Sequence, residues 1–252
     1  MNTLLVVTDL TRMQHGHVCI AGYDTHKTCI RLVRPPPDGI PESSIIQNQQ
    51  ATVFPFAVIE ADVLDNQPDP PHVEDHLYAP ESLRFIRRAD EVKKEKVLSW
   101  SLHKTLHELF GQPILESPGH YVLAGQGAHS LGTILTNAIK CVEYKEGPEG
   151  AWDYRITFKD AEHWYNLKIT DLTWHYYCDL LRADGREPAD IAAELTATVR
   201  RLKVYLRIGL SRGWKKYPGR CFLQVNGILT FPDYLEGRTF ADLTALIRER
   251  TR

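Results

Sequence analysis

The sequence contains no Cys-x-x-Cys pair and no apolar run long enough to span a bilayer. Its five cysteines, Cys19, Cys29, Cys141, Cys178 and Cys221, are odd in number and widely spaced. That excludes a zinc knuckle and a complete disulfide framework, and the thiols read as buried groups of a reducing compartment. The opening MNTLLVVTDL has no basic flank, and its apolar run stops at Asp9, so it reads as a first strand and not as a signal peptide. The expectation is a cytoplasmic protein without a membrane partner. Neither sign of charge dominates: 30 Lys and Arg stand against 32 Asp and Glu, a formal net charge of −2. This balance excludes a protein that coats nucleic acid over its whole surface, but it allows a focused basic groove.

Such a focus is present. Arg200 to Arg220, RRLKVYLRIGLSRGWKKYPGR, holds eight Lys or Arg and no acid, with Tyr205, Trp214 and Tyr217 threaded through it. Arg200, Arg201 and Lys203 sit where a helix ends, and the helix dipole accounts for cations there. From Tyr205 onward the segment reads as a strand and a loop. Alternation over Val204 to Ile208 puts Tyr205 and Arg207 on the face opposite Val204, Leu206 and Ile208. Cations beside flat π-faces suit a surface that grips phosphates and stacks bases. The candidate contacts are Arg207, Arg212, Lys215, Lys216 and Arg220 for phosphate, and Tyr205, Trp214 and Tyr217 for stacking. The competing reading is a solvated hairpin with extended lysines. Arg31 and Arg34 form a second candidate at the end of an early strand, suited to a phosphate. An internal salt bridge to the acidic stretch Glu60 to Asp75 explains them as well.

The 252 residues accommodate one large domain or two ordinary ones. β-branched runs at Leu4 to Val7, His17 to Tyr23, Thr28 to Val33 and Val53 to Leu64 predict strands, the third stopped by Pro35, Pro36 and Pro37. Leu98, Leu102, Leu106 and Leu109 predict a helix within Asp90 to Phe110. Gln112 to Gly132 reads as a connector carrying one short strand, Tyr121 to Leu123. Beyond it come strands at Ala138 to Tyr144, Trp152 to Phe158 and Trp164 to Ile169, with a turn at Glu146-Gly147-Pro148. A helix follows from Pro188 to about Arg201, then strands at Val204 to Ile208 and Cys221 to Leu229, and a closing helix at Phe240 to Arg248. Three strands, a helix and two strands is the chain order of an OB-fold. The expected fold is mainly β with α insertions: two OB-like β-barrels packed in tandem, over residues 1–125 and 131–252. One larger β-rich domain is the alternative.

The chain resembles a bacterial family described as dual OB-containing domain proteins. The likeness rests on Cys19-Ile20-Ala21-Gly22, Ile30-Arg31-Leu32-Val33-Arg34-Pro35 and Leu167-Lys168-Ile169-Thr170-Asp171. It continues in Gly209-Leu210-Ser211-Arg212 and Leu223-Gln224-Val225-Asn226-Gly227-Ile228. The resemblance implies nearly full-length coverage and a role in nucleic-acid binding. The family pattern carries an aromatic before its arginine-bearing strand end, where this chain has Cys29 and Ile30.

Other chemistries lack their residues. The loop Gly125 to Gly132 fails the spacing of a dinucleotide fingerprint and of a P-loop. His175 with Cys178, and His15 with His17, have no second pair for a metal, so no metal or cofactor is expected. Glu143-Tyr144-Lys145 has the Glu-x-Lys form of some nucleases, without the upstream Asp that would complete a carboxylate set. The reading is therefore a non-catalytic binder of DNA or RNA, with single strands favoured. The alternatives are a nucleotide- or nucleic-acid-processing enzyme with a site between the halves, and a protein–protein adaptor anchored by the aromatic loop.

Overall fold

The computed structural model describes residues 2–34, 39–147 and 150–251. The proline brake Pro35–Pro37 and Pro148 of the expected turn lie outside the described residues. The first half is built from β1 (Asn2–Arg12), β2 (His17–Tyr23), β3 (Cys29–Val33), the short β4 (Ile40–Pro41), β5 (Ile46–Gln47) and β6 (Gln50–Ala51), then β7 (Ala57–Asn66) and β8 (Asp75–Arg88). The stretch between the halves carries α1 (Glu91–Ser99), β9 (Leu102–His103), α2 (Leu106–Phe110), β10 (Leu115–Glu116) and β11 (His120–Leu123). The second half runs β12 (Leu131–Thr136), β13 (Ile139–Glu146), β14 (Trp152–Lys159), β15 (Trp164–Ile169), α3 (Leu172–Ala183), α4 (Pro188–Arg200), β16 (Lys203–Leu210), β17 (Arg220–Phe231) and α5 (Phe240–Arg250).

The pairings of the first sheet run β1–β2–β3–β8–β7 and return to β1, with β3 and β8 parallel. In the second sheet the order is β13–β14–β15–β17–β16–β12–β9, with β15 parallel to β17 and β12 parallel to β9. Only Asn137 and Ala138 separate β12 from β13, so the chain itself links β12 to the first strand of that order. Each sheet wraps its own apolar core: Leu5, Ile20, Leu32 and Ile59 in the first, Ile156, Phe158, Leu206 and Val225 in the second. The fold is mainly β, as the period-two runs predict. Among the described residues no helix is long and apolar enough to cross a membrane.

Two expectations are corrected, and one strand was not expected. The helix placed within Asp90 to Phe110 is two helices, because Leu102 and His103 leave the helical path to pair with Thr133 and Ile134. β8 carries no expectation at all, although it is a 14-residue strand. Its register against β7 slips three times, and Pro80 falls in one slip, so no clean alternation survives in the sequence. The stretch Gln112 to Gly132 is not a free connector. β11 pairs with β17, Gly125 N–H donates to Pro70 C=O at 2.8 Å, and Ser130 is fully buried.

A third core lies between the two sheets, where Val6, Tyr23 and Val58 meet Tyr205 and Leu229 under Val97 and Leu98 of α1. At its centre Arg207 is completely buried and binds Asp9, itself 1% exposed. Nε and Nη2 reach Asp9 Oδ2 at 2.9 and 2.8 Å, and Nη1 donates to Ser101 Oγ and Thr133 Oγ1. Both residues sit at β-bulges, Asp9 in the β1–β2 ladder and Arg207 in the β16–β17 ladder, and bulges re-aim side chains. Close by, Asp171 caps α3 through the amides of Thr173 and Trp174 and accepts from Ile228 N–H. Burial pushes its carboxyl up to about 6.

Replacing Asp9 by Asn strands a buried guanidinium and is expected to cost about 3–5 kcal/mol in urea unfolding. The double variant Asp9→Leu with Arg207→Met recovers most of that loss; if it is no more stable than the single variant, the charge argument fails. Asp171 gives a pH signature. Its folded carboxyl, at about 6, lies above its ordinary 3.8, so the folded state takes up the proton first. Wild-type stability relative to Asp171→Asn therefore falls as pH rises from about 4 to about 6, by roughly 3 kcal/mol, and is flat above that. A difference that does not change with pH would refute it.

Candidate nucleic-acid interface

The structure separates the sequence candidates into an enclosed set and an accessible one. Arg207, expected on an open polar face, is enclosed, and its charge is answered by Asp9. Alternation along β16 is as predicted, but both faces are covered, one by the second core and the other by the first half. Tyr205 is 5% exposed, its ring edge-on to Phe231 at 5.6 Å, so no base reaches its face. Arg31 is 6% exposed and forms the internal salt bridge to Asp75, with Nε 2.5 Å from Oδ1. Burial corrects the expected phosphate contacts of Arg207 and Arg31 and the expected base stacking of Tyr205. Arg34 is half-buried and donates to Gly39 C=O at 3.3 Å.

The accessible set lies in the loop between β16 and β17. Tyr217 N–H donates to Trp214 C=O at 2.7 Å and closes a tight turn that presents Lys215 and Lys216. A side chain at Gly213 would lie 2.0 Å from Pro218 O, so the two limbs of the loop approach as only glycine permits. Trp214 is 52% exposed and stands edge-on to Tyr217 at 5.4 Å. The Arg220 guanidinium lies 4.5 Å from the ring centre of Tyr121 and 4.8 Å from that of Tyr217. It also donates to Ser117 C=O, which pins the base of the loop to the connector. Arg212 reaches across to the first half, binding Asp75 and, at 3.4 Å, Asp69. Part of the acidic stretch noted in the sequence is thus the counter-charge of part of the basic block.

The second sheet also carries a polar face that the charge count does not reveal. Register places Gln224 of β17, Lys168 of β15, Arg155 of β14 and Glu143 of β13 in one row across four strands. Asn166 ties the row together, donating to Glu143 Oε1 at 2.6 Å and to Thr157 Oγ1 at 2.8 Å, and accepting from Arg155. Glu143 is held below its ordinary carboxyl range by Asn166 and Lys145, although its partial burial opposes this. Trp164, 51% exposed, stands at the start of β15 on the same face. The signal in the sequence was alternation: Asp153, Arg155, Thr157 and Lys159 interleave with buried residues along β14.

His175 and Cys178 take structural places. The His175 ring stacks on Tyr154 at 3.8 Å, and its Nε2 faces Ile169 C=O at 2.9 Å, so Nε2 carries the proton. Among the described residues no group of three or more His, Cys, Asp or Glu is placed to hold a metal ion. All five cysteines are free thiols.

No curated protein matches the chain. The profile of the Dual OB-containing domain matches residues 3–228, from β1 through most of β17. That span takes in nearly all of both sheets, the buried Asp9–Arg207 contact that joins them and the basic loop, and the chain belongs to the family of dual OB-containing domain proteins.

Proposed function

We propose that this protein binds single-stranded nucleic acid with the β16–β17 loop and the polar outer face of β14 and β15, and that each of the two sheets is an OB-type barrel. The parallel β3–β8 and β15–β17 pairs, and the near-continuous passage from β12 into β13, support the barrel reading. In that reading β14 and β15 are the second and third strands of the C-terminal barrel, and residues 211–219 join its fourth and fifth. Those are the face and one of the loops with which OB-folds hold oligonucleotides.

The observation that carries the proposal is the exposed indole of Trp214 beside the exposed ammonium groups of Lys215 and Lys216, on a loop braced from behind by Arg220. A flat face next to cations serves a base and its phosphate together. Single strands are favoured because stacking needs unpaired bases. Trp164 and Lys168 extend the same chemistry along β15.

With Arg207 and Arg31 enclosed and Arg212 ion-paired to Asp75 and Asp69, the loop offers three cations: Lys215, Lys216 and Arg220. Titration of a labelled oligonucleotide against salt is expected to give a log–log slope of about −2.1, from about −0.7 per phosphate contact on a single strand. Lys215→Ala with Lys216→Ala reduces the slope to about −0.7 and weakens all base sequences alike. Affinity indifferent to salt would overturn the proposal. Trp214→Ala is expected to cost about 1–3 kcal/mol of binding with the slope retained. If it leaves affinity unchanged, the stacking role is wrong.

A further inference from the structure

A cavity of about 450 Å³ lies where the two halves meet, against the third core: its walls are Phe54 and Phe56 before β7, the end of β8, the start of α1, the start of α3 and the turn after β17. The volume is within the range of small-molecule sites. None of Arg212, Trp214, Lys215, Lys216, Tyr217 or Arg220 lines it.

Its chemistry is polarised. Phe54, Phe56 and Phe231 supply aromatic wall, with the Phe56 and Phe231 ring centres 6.2 Å apart. Arg88 of the first half and Arg238 of the second are held by one turn. Arg88 Nη1 donates to Gly237 C=O at 3.0 Å, and Arg238 Nε donates to Leu235 C=O at 3.0 Å. The Arg88 guanidinium also rests 4.3 Å from the ring centre of Phe54. Among the described residues neither arginine is paired with a carboxylate, so both keep donors and full charge for a ligand.

The acids that line the cavity are engaged elsewhere. Asp171 is spent on three backbone amides, Asp233 accepts from Leu235 N–H and Gly237 N–H, and Glu91 pairs with Lys94 at 2.6 Å. One polar group is left over. Thr173, 4% exposed, has a buried hydroxyl with no hydrogen-bond partner. An orphaned buried hydroxyl costs free energy unless something completes it.

From the two carboxylate-free arginines, the aromatic wall and the orphaned Thr173 hydroxyl, we propose that this cavity is a second site, distinct from the nucleic-acid surface, that takes a free nucleoside monophosphate. The arginines receive the phosphate, the phenylalanines flank the base, and Thr173 hydrogen-bonds a ring or sugar heteroatom. Because both halves wall the cavity, the ligand also bridges them.

Isothermal titration of the full-length chain with AMP, adenosine and inorganic phosphate tests this. AMP is expected to bind more tightly than either fragment. Arg88→Gln with Arg238→Gln weakens AMP by at least about tenfold, as loss of charge-assisted phosphate contacts demands. Thr173→Val, which conserves shape, weakens it by about threefold or more and keeps the test open if the double variant fails to fold. Lys215→Ala with Lys216→Ala leaves AMP binding unchanged, and the arginine variant leaves oligonucleotide binding unchanged. The proposal is overturned by no AMP binding at about 10 mM, near the weakest affinity worth calling a site. It is also overturned if phosphate alone matches AMP, if the loop variant weakens AMP equally, or if the arginine variant weakens the oligonucleotide equally. The last two results distinguish failure here from failure at the loop.

Discussion

Asp9 and Arg207 form an ion pair with no access to water, and the relation of the two sheets depends on it. Each residue comes from a different half, each sits at a bulge, and each would be an intolerable charge without the other. The hydroxyls of Ser101 and Thr133 complete the guanidinium, so the stretch between the halves is recruited into the same contact. Apolar packing of Val6, Tyr23, Tyr205 and Leu229 surrounds the pair. Hydrophobic contact alone is indifferent to small slides between surfaces, whereas a charged fork with five donors accepts one position.

A second polar seam runs alongside. Arg31 and Arg212 share Asp75, and Glu74 receives both the amide and the hydroxyl of Ser130. The basic loop is therefore anchored at its root to the first half, while its tip stays in solvent. A loop braced at the root and bare at the tip presents Trp214 in a narrow range of orientations, which lowers the ordering cost of binding.

The sequence was most legible where one face of a strand meets solvent and the other a core. β14 and β15 alternate cleanly, and their ends were read to within a residue; α4 begins at Pro188 as the proline suggests. Legibility failed where alternation meets two buried faces. Tyr205 and Arg207 alternate with Val204 and Leu206 in the expected way, but composition does not say that a second sheet covers the polar face. The same blindness hid the row Gln224–Lys168–Arg155–Glu143, whose members lie on four strands and meet only through register. It also hid the inter-half cavity, assembled from Phe54, Arg88, Phe231 and Arg238, which lie far apart along the chain.

The path of the connector has a consequence for how the molecule is divided. β9 and β11 lie on the second sheet, α1 roofs the core between the sheets, and Gly125 reaches back to Pro70. A cut near residue 125 would leave the N-terminal fragment holding two strands that pair with the second sheet, and would place Asp9 and Arg207 on different fragments. The boundary between the two sheets in space is thus not a boundary along the chain: the segment that joins them is shared between both.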